Sequence, residues 1–225
     1  MQNKIKQLRR DVLLASYDSG ACHIGSALSC IEILVKIFYE YGFDKEKDTF
    51  VFGKASGVSA MYAMLADKGY FPKEKIAEYL KEYPLSSKEV PGIIHSFGSV
   101  GHGLSVASGI ALGNKLKNKN GNVYVLLSDG DFQEGSTYES CLFVKQHKLD
   151  NLCVFVDNNG LQACGKTKEI LDLEDTWDFL YCILPVCHII KTTKGKGVSF
   201  MENDYKWHYN NLTKDLLEIA LKENE

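Results

Sequence analysis

The chain has 225 residues, a length that fits one large α/β domain spanning residues 1–225. Hydrophobic residues make up 45% and charged residues 24%, ordinary for a globular chain, which excludes a disordered tail, a fibrous repeat and a disulfide-stapled miniprotein. Lys plus Arg is 26 against 29 Asp plus Glu, a formal charge of −3 without any block of like charge, so neither nucleic acid nor a membrane is expected as a partner. Apolar runs such as Val123–Leu127 and Leu152–Val156 are too short to span a bilayer. Lys4, Lys6, Arg9 and Arg10 are followed only by Val12–Ala15, so no secretory signal is expected. The 7 cysteines form an odd set without a C-x-x-C pair, which points to a reduced, cytoplasmic protein and away from zinc.

A first helix is expected over about Asn3–Tyr17, stopped by Asp18-Ser19-Gly20. Ser29 with Glu32 reads as a capping box opening a second helix. A third is expected over Ser59–Lys68, and Pro72 reads as the N1 residue of a fourth. From Pro84 to Gly103 the sequence turns rich in Pro, Gly and Ser, the mark of a long and therefore functional loop. Val123–Leu127 reads as a strand buried on both faces, Ser136–His147 as a helix and Leu152–Val156 as a second buried strand. Together they make a right-handed βαβ unit. Val186–Thr192 reads as a later strand and Thr213–Lys222 as a terminal helix. The fold class is therefore α/β, three-layered, with a mostly parallel sheet covered by helices on both faces.

In such sheets ligands collect at the carboxyl ends of the strands. Asp129 lies just past one central strand and Asn159 just past the next. If those strands are neighbours they stand ~4.8 Å apart, close enough for both side chains to reach one point. A carboxylate, an amide oxygen and a backbone carbonyl are hard oxygen ligands that suit Mg²⁺ or Ca²⁺, and a phosphate-bearing ligand would complete the shell. Gly130 lets the backbone approach it. The competing reading, that Asp129 ends a strand and Asn159-Gly160 is only a turn, weighs about as much.

Asp129-Gly130 followed by Asn159 also resembles the thiamine-diphosphate signature, and the surrounding text resembles the N-terminal domain of transketolases. The resemblance runs through Gly20–Ser29 (GACHIGSALS), Pro91–Ser105 (PGIIHSFGSVGHGLS), Val123–Gly135 (VYVLLSDGDFQEG), Lys148–Gly165 and Lys194–His208 (KGKGVSFMENDYKWH), covering nearly the whole chain in order. It implies that Asp129, Asn159 and the Leu161 carbonyl hold Mg²⁺ or Ca²⁺ against the diphosphate of thiamine diphosphate, with Gly130 donating its N–H. Gly98, Ser99 and Val100 would lie against the aminopyrimidine ring. His23 and His208 would serve sugar and diphosphate as donors or proton shuttles. Glu134 and Glu139 match acidic residues linking paired active sites, although Ser136-x-x-Glu139 also reads as a capping box. His95 and His147 have no family role, and a surface position is expected for both.

Complete transketolases carry two further domains, including the pyrimidine-binding one with the activating glutamate. Their absence implies the N-terminal subunit of a split transketolase, moving a two-carbon ketol unit between sugars with a separately encoded C-terminal subunit in a two-plus-two assembly. Three positions depart from the family: Ser56 and Leu85 replace histidines, and His102 replaces a glutamine. Ser56 can still donate to phosphate, without charge. These changes motivate a second reading, the same cofactor chemistry on a nucleotide-linked or otherwise modified sugar. A third is a non-catalytic regulatory homologue. Only Asp178–Thr193 fills a stretch where the family usually has a further strand and helix, so a trimmed sheet edge is expected.

Overall fold

Four runs of β-branched and aromatic residues assemble one sheet in a computed structural model that describes residues 1–225. They are β1 (Thr49–Phe52), β2 (Val123–Ser128), β3 (Leu152–Asn158) and β4 (Val186–Lys191), in the spatial order β1-β2-β3-β4. All three pairings are parallel. The register runs from Val123 opposite Leu152 to Ser128 opposite Asp157, so β2 and β3 end side by side. β4 forms an edge, only half-buried along most of its length, and the sheet stops there.

Side chains alternate across a strand, and the sheet divides its core accordingly. Tyr124, Leu126 and Phe155 enter one apolar cluster, Val123, Val125, Leu127, Val154 and Val156 the other. The first cluster is covered by α1 (Gln2–Ser19), α2 (Ile24–Val35), α3 (Val58–Asp67), α4 (Lys75–Glu82) and the terminal helix, here α9 (Lys214–Glu223). The second is covered by α5 (Gly103–Leu116), α6 (Gly135–His147) and α8 (Glu174–Ile183), with the single turn α7 (Thr167–Ile170) beside them. The result is the three-layer α/β architecture the sequence predicts.

Several local expectations need correction. α2 opens at Ile24, not at Ser29: the Ser29 hydroxyl is buried and donates to Asp157 (2.5 Å), while Glu32 pairs with Arg9. Burial of Ile24, Ala27 and Leu28 carries the helix back to His23, which takes a left-handed conformation at φ 67°. Pro72 is not at N1, because its carbonyl accepts the Lys75 N–H in a turn before α4. Ser136 and Glu139 form no capping box: α6 begins at Gly135, and the Ser136 hydroxyl donates to the Gly101 carbonyl (2.8 Å). The capping box that does form joins Ser128 and Asp131. β1, α5 and α8 have no clear signal in the sequence. β1 has only 4 residues, and glycines 103, 109 and 113 weaken the helical pattern of α5. No helix is long and apolar enough to cross a membrane.

Candidate functional site: a cleft at the strand tips

At the carboxyl end of the sheet the chain opens into a cleft of about 390 Å³. That volume lies in the range of small-ligand sites. The adjacent ends of β2 and β3 supply one wall. Asp129, 2% exposed, accepts the Gly130 N–H through Oδ1 (2.9 Å) and the Gly160 N–H through Oδ2 (2.7 Å), with the Thr167 hydroxyl at 3.2 Å. One carboxylate therefore ties the two strand tips together. Burial and the nearby Asp157 charge push its pKa up to about 6. Asn159 turns its amide oxygen to the Leu161 N–H (3.0 Å), and Asn159 and Leu161 both line the cleft.

Basic groups supply the floor. Lys54 is buried, donating to Asp157 (2.5 Å), to Ser29 (3.0 Å) and to the Ser26 carbonyl (2.9 Å). Burial, the largest single influence, lowers its pKa, but the Asp157 charge and hydrogen bond together with Cys30 and Asp129 raise it on balance. Lys194 donates to the carbonyls of Leu161 (3.4 Å) and Gln162 (3.2 Å) and to Nδ1 of His208 (3.3 Å). Burial and the Lys54 charge bring its pKa down to about 8, so it remains a cation near neutrality. Burial, followed by Lys194 and His23, brings His208 down to about 3. His23 is lowered by burial and then by Lys194. Its ring meets that of His208 edge-on at 4.7 Å, and the His23 backbone N–H donates to the His208 carbonyl (3.0 Å). His208 is thus a neutral imidazole near pH 7. With Nδ1 accepting from Lys194, its proton sits on Nε2.

The cleft gathers His23, Ser56, Gly98, Val100, Asp129, Gly130, Glu134, Asn159, Leu161 and His208, as well as Leu85. Ser99 is exposed beside it, its hydroxyl turned to the Val100 carbonyl at 3.4 Å. Glu139 stands outside, in a separate groove between α5 and α6. His95 and His147 are exposed elsewhere, and His102 precedes α5 without lining the cleft. Lys54, Lys194, Gln133 and Gln162 are lining residues that sequence reasoning does not single out. The one available signal is the short apolar run Phe50-Val51-Phe52, too short to mark a strand on its own, with Lys54 two residues beyond it.

The donor set suits a metal-bound diphosphate. Asp129, Asn159 and the Leu161 carbonyl offer hard oxygens to a divalent cation, and a raised carboxylate pKa marks a buried acid that a cation would relieve. Lys54, Lys194 and the imidazole N–H groups would face the anionic oxygens.

Fold and cleft together define an α/β thiamine-diphosphate-binding domain. Residues 1–201 match the family described as transketolase, thiamine diphosphate binding domain, and the chain belongs to that family. It is 36% identical to one of the subunits of the apulose-4-phosphate transketolase of Phocaeicola vulgatus, over 96% of this chain and 90% of that one. Subunit SqwG of a 6-deoxy-6-sulfo-D-fructose transketolase from a Clostridium species is 29% identical, over 100% and 96%. The solved transketolase of Campylobacter jejuni superposes with a TM-score of 0.85 at 20% identity, covering 99% of this chain and 42% of that one. The present chain thus matches the two bacterial subunits over nearly their full length but only two-fifths of the Campylobacter enzyme.

Proposed function

We propose that this chain is the diphosphate-binding subunit of a two-chain transketolase, which moves a two-carbon ketol unit from a ketose to an aldose. The observation that carries the reading is the joining of the β2 and β3 tips by Asp129 inside a cleft floored by Lys54 and Lys194. Relatives named as single subunits of a transketolase, matched over nearly their whole length, support the division of labour. Bound thiamine diphosphate supplies a nucleophilic carbon and an electron sink. This chain's residues do the remaining work on its side of the site. Asp129, Asn159 and the Leu161 carbonyl would hold Mg²⁺ or Ca²⁺. Gly130 and Ser56 would donate to the diphosphate, and Gly98, Ser99 and Val100 would bound the aminopyrimidine side.

His208, neutral and protonated at Nε2, is suited to donate to a substrate or phosphate oxygen without bringing a charge. His23 lies next to it and would be a second donor, and Glu134, exposed where it lines the cleft, would reach toward a second active site. A separately encoded chain with the pyrimidine-binding and C-terminal domains completes the enzyme as a two-plus-two assembly. The 7 cysteines are all free, which supports a cytoplasmic setting.

One observation favours a modified sugar as substrate. Leu85 gives the cleft an apolar wall, and the relatives above are named for apulose 4-phosphate and 6-deoxy-6-sulfo-D-fructose. Calorimetry with thiamine diphosphate and Mg²⁺, with and without the partner chain, tests the main reading. Metal-dependent binding is expected, and no binding in either mixture would refute it. A panel of ketose phosphates then separates ordinary from modified sugars.

A further inference from the structure

Asp131 does not line the cleft, yet it is fully buried (0% exposed) and accepts three hydrogen bonds. Oδ2 takes the Ser128 N–H and the Ser128 hydroxyl, each at 2.7 Å, and so closes the turn that presents Asp129 and Gly130. Oδ1 takes the N–H of Gly101, also at 2.7 Å, from the loop that carries Gly98–Val100. Burying a carboxylate is costly unless its oxygens are satisfied, and here each oxygen is satisfied from a different segment.

Gly101 is held on its other side too, because its carbonyl accepts from Ser136 (2.8 Å). Those two bonds are the only hydrogen bonds that tie residues 98–102 to another part of the fold before α5 begins. The fit is tight. Gly101 sits at φ +86°, and a Cβ there would lie 2.6 Å from that of Glu134 and 2.8 Å from the Ser136 hydroxyl.

We infer that Asp131 is a positioning residue that clamps the Gly98–Gly101 loop to the Asp129–Gly130 turn, setting two walls of the cofactor cleft in one register. The clamp rests on the cofactor reading above. It adds that recognition of the ring end depends on a side chain that meets no ligand. A ligand gripping only the turn would gain little from the bond between Asp131 and Gly101, whereas one that also uses the loop would gain much.

The test uses the intact chain and Asp131→Asn. The amide keeps the shape but has one acceptor oxygen, so its NH₂ must oppose either the Gly101 N–H or the Ser128 donors. Amide hydrogen exchange over residues 98–102 should accelerate by about tenfold or more, the scale of one charge-assisted hydrogen bond, with β2, β3 and α6 unchanged. Thiamine diphosphate with Mg²⁺ should bind about tenfold more weakly, while inorganic pyrophosphate with Mg²⁺ stays within about twofold.

Ser136→Ala, away from the metal turn, should shift exchange and the ligand ratio the same way by less, and it decides the matter if Asp131→Asn fails to fold. Unchanged exchange over 98–102, or equal weakening of both ligands, would overturn the clamp. If the unaltered chain binds neither ligand with or without the partner chain, the cofactor reading falls, and the exchange result still decides whether Asp131 holds the loop.

Discussion

Two walls of one cleft are built in contrasting ways. The turn after β2 continues a central strand, and its Asp129 carboxylate is buried and bonded to the tip of β3. The loop between α4 and α5 is irregular and exposed from Gly98 to Val100; Ser86 and Phe97 bridge it internally, and it is held to the rest of the fold at Gly101 and at the Tyr83 and Leu85 carbonyls, which accept from the Tyr62 hydroxyl. A wall fixed by the sheet can keep metal ligands in place. A wall stapled at a few points can change its side chains without disturbing the sheet, and the departures at Leu85 and His102 fall in that loop. The strand-tip wall is thus the fixed one, and under the proposed function the loop is the wall whose side chains can change substrate preference.

Breaking the rigid wall should cost most. Lys54→Met leaves Asp157 buried without its cation, for which about 3–5 kcal/mol of stability loss is expected. Denaturant titration measures it, and Lys54→Met/Asp157→Asn should recover part of the loss, since the unpaired charge is then gone as well. Asp129→Ala should leave a folded chain whose thiamine diphosphate affinity no longer responds to Mg²⁺, a fall of about a hundredfold, the scale on which metal-site changes act. Calorimetry at fixed ligand with Mg²⁺ present or chelated reads it. An unaltered metal response would remove Asp129 from the ligand set.

The contrast also explains what can be read without coordinates. Val123–Leu127 and Leu152–Val156 are continuous apolar runs, so the central strands and the placement of Asp129 and Asn159 at their tips are legible. Whether the strands are neighbours is not, because parallel pairing is a non-local choice that leaves no mark on either segment. β1 stays hidden in 4 residues, and α5 behind its glycines. Lys54 and Lys194 look like surface lysines in sequence; only the fold, by placing Asp157 and two loop carbonyls beside them, makes their burial tolerable. Ser29 and Ser136 show the opposite error, since both match a capping pattern and both commit their hydroxyls to tertiary contacts.

Changing the Leu85 side chain, as opposed to the anchoring of the loop at Gly101, should leave cofactor binding alone. Leu85→His places a donor where the cleft now has a methyl-bearing wall. Preference between simple and modified ketose phosphates should move by about tenfold, the scale of a polar-for-apolar exchange in a substrate pocket. Thiamine diphosphate affinity should stay within about twofold. Competition assays with paired donor sugars measure the first and calorimetry the second. A large cofactor effect without a change in preference would erase the distinction between the walls.

The smallest expected effect concerns pH. His208 titrates near 3 when folded and near 6.5 when free, because burial and the Lys194 and His23 groups oppose its charge. A lowered folded pKa means that the unfolded chain binds the proton first. Stability from this group is therefore full above the unfolded pKa and drains away as pH falls from about 6.5 toward 3. His208→Gln removes that proton uptake and should flatten the acid arm of the stability curve while leaving the neutral region nearly level. The side chain is only partly buried, so solvent screening keeps the change modest. Urea midpoints at a series of pH values decide it, and an acid arm of unchanged steepness would mean that His208 is solvated, which would also undo its assignment as a neutral Nε2 donor.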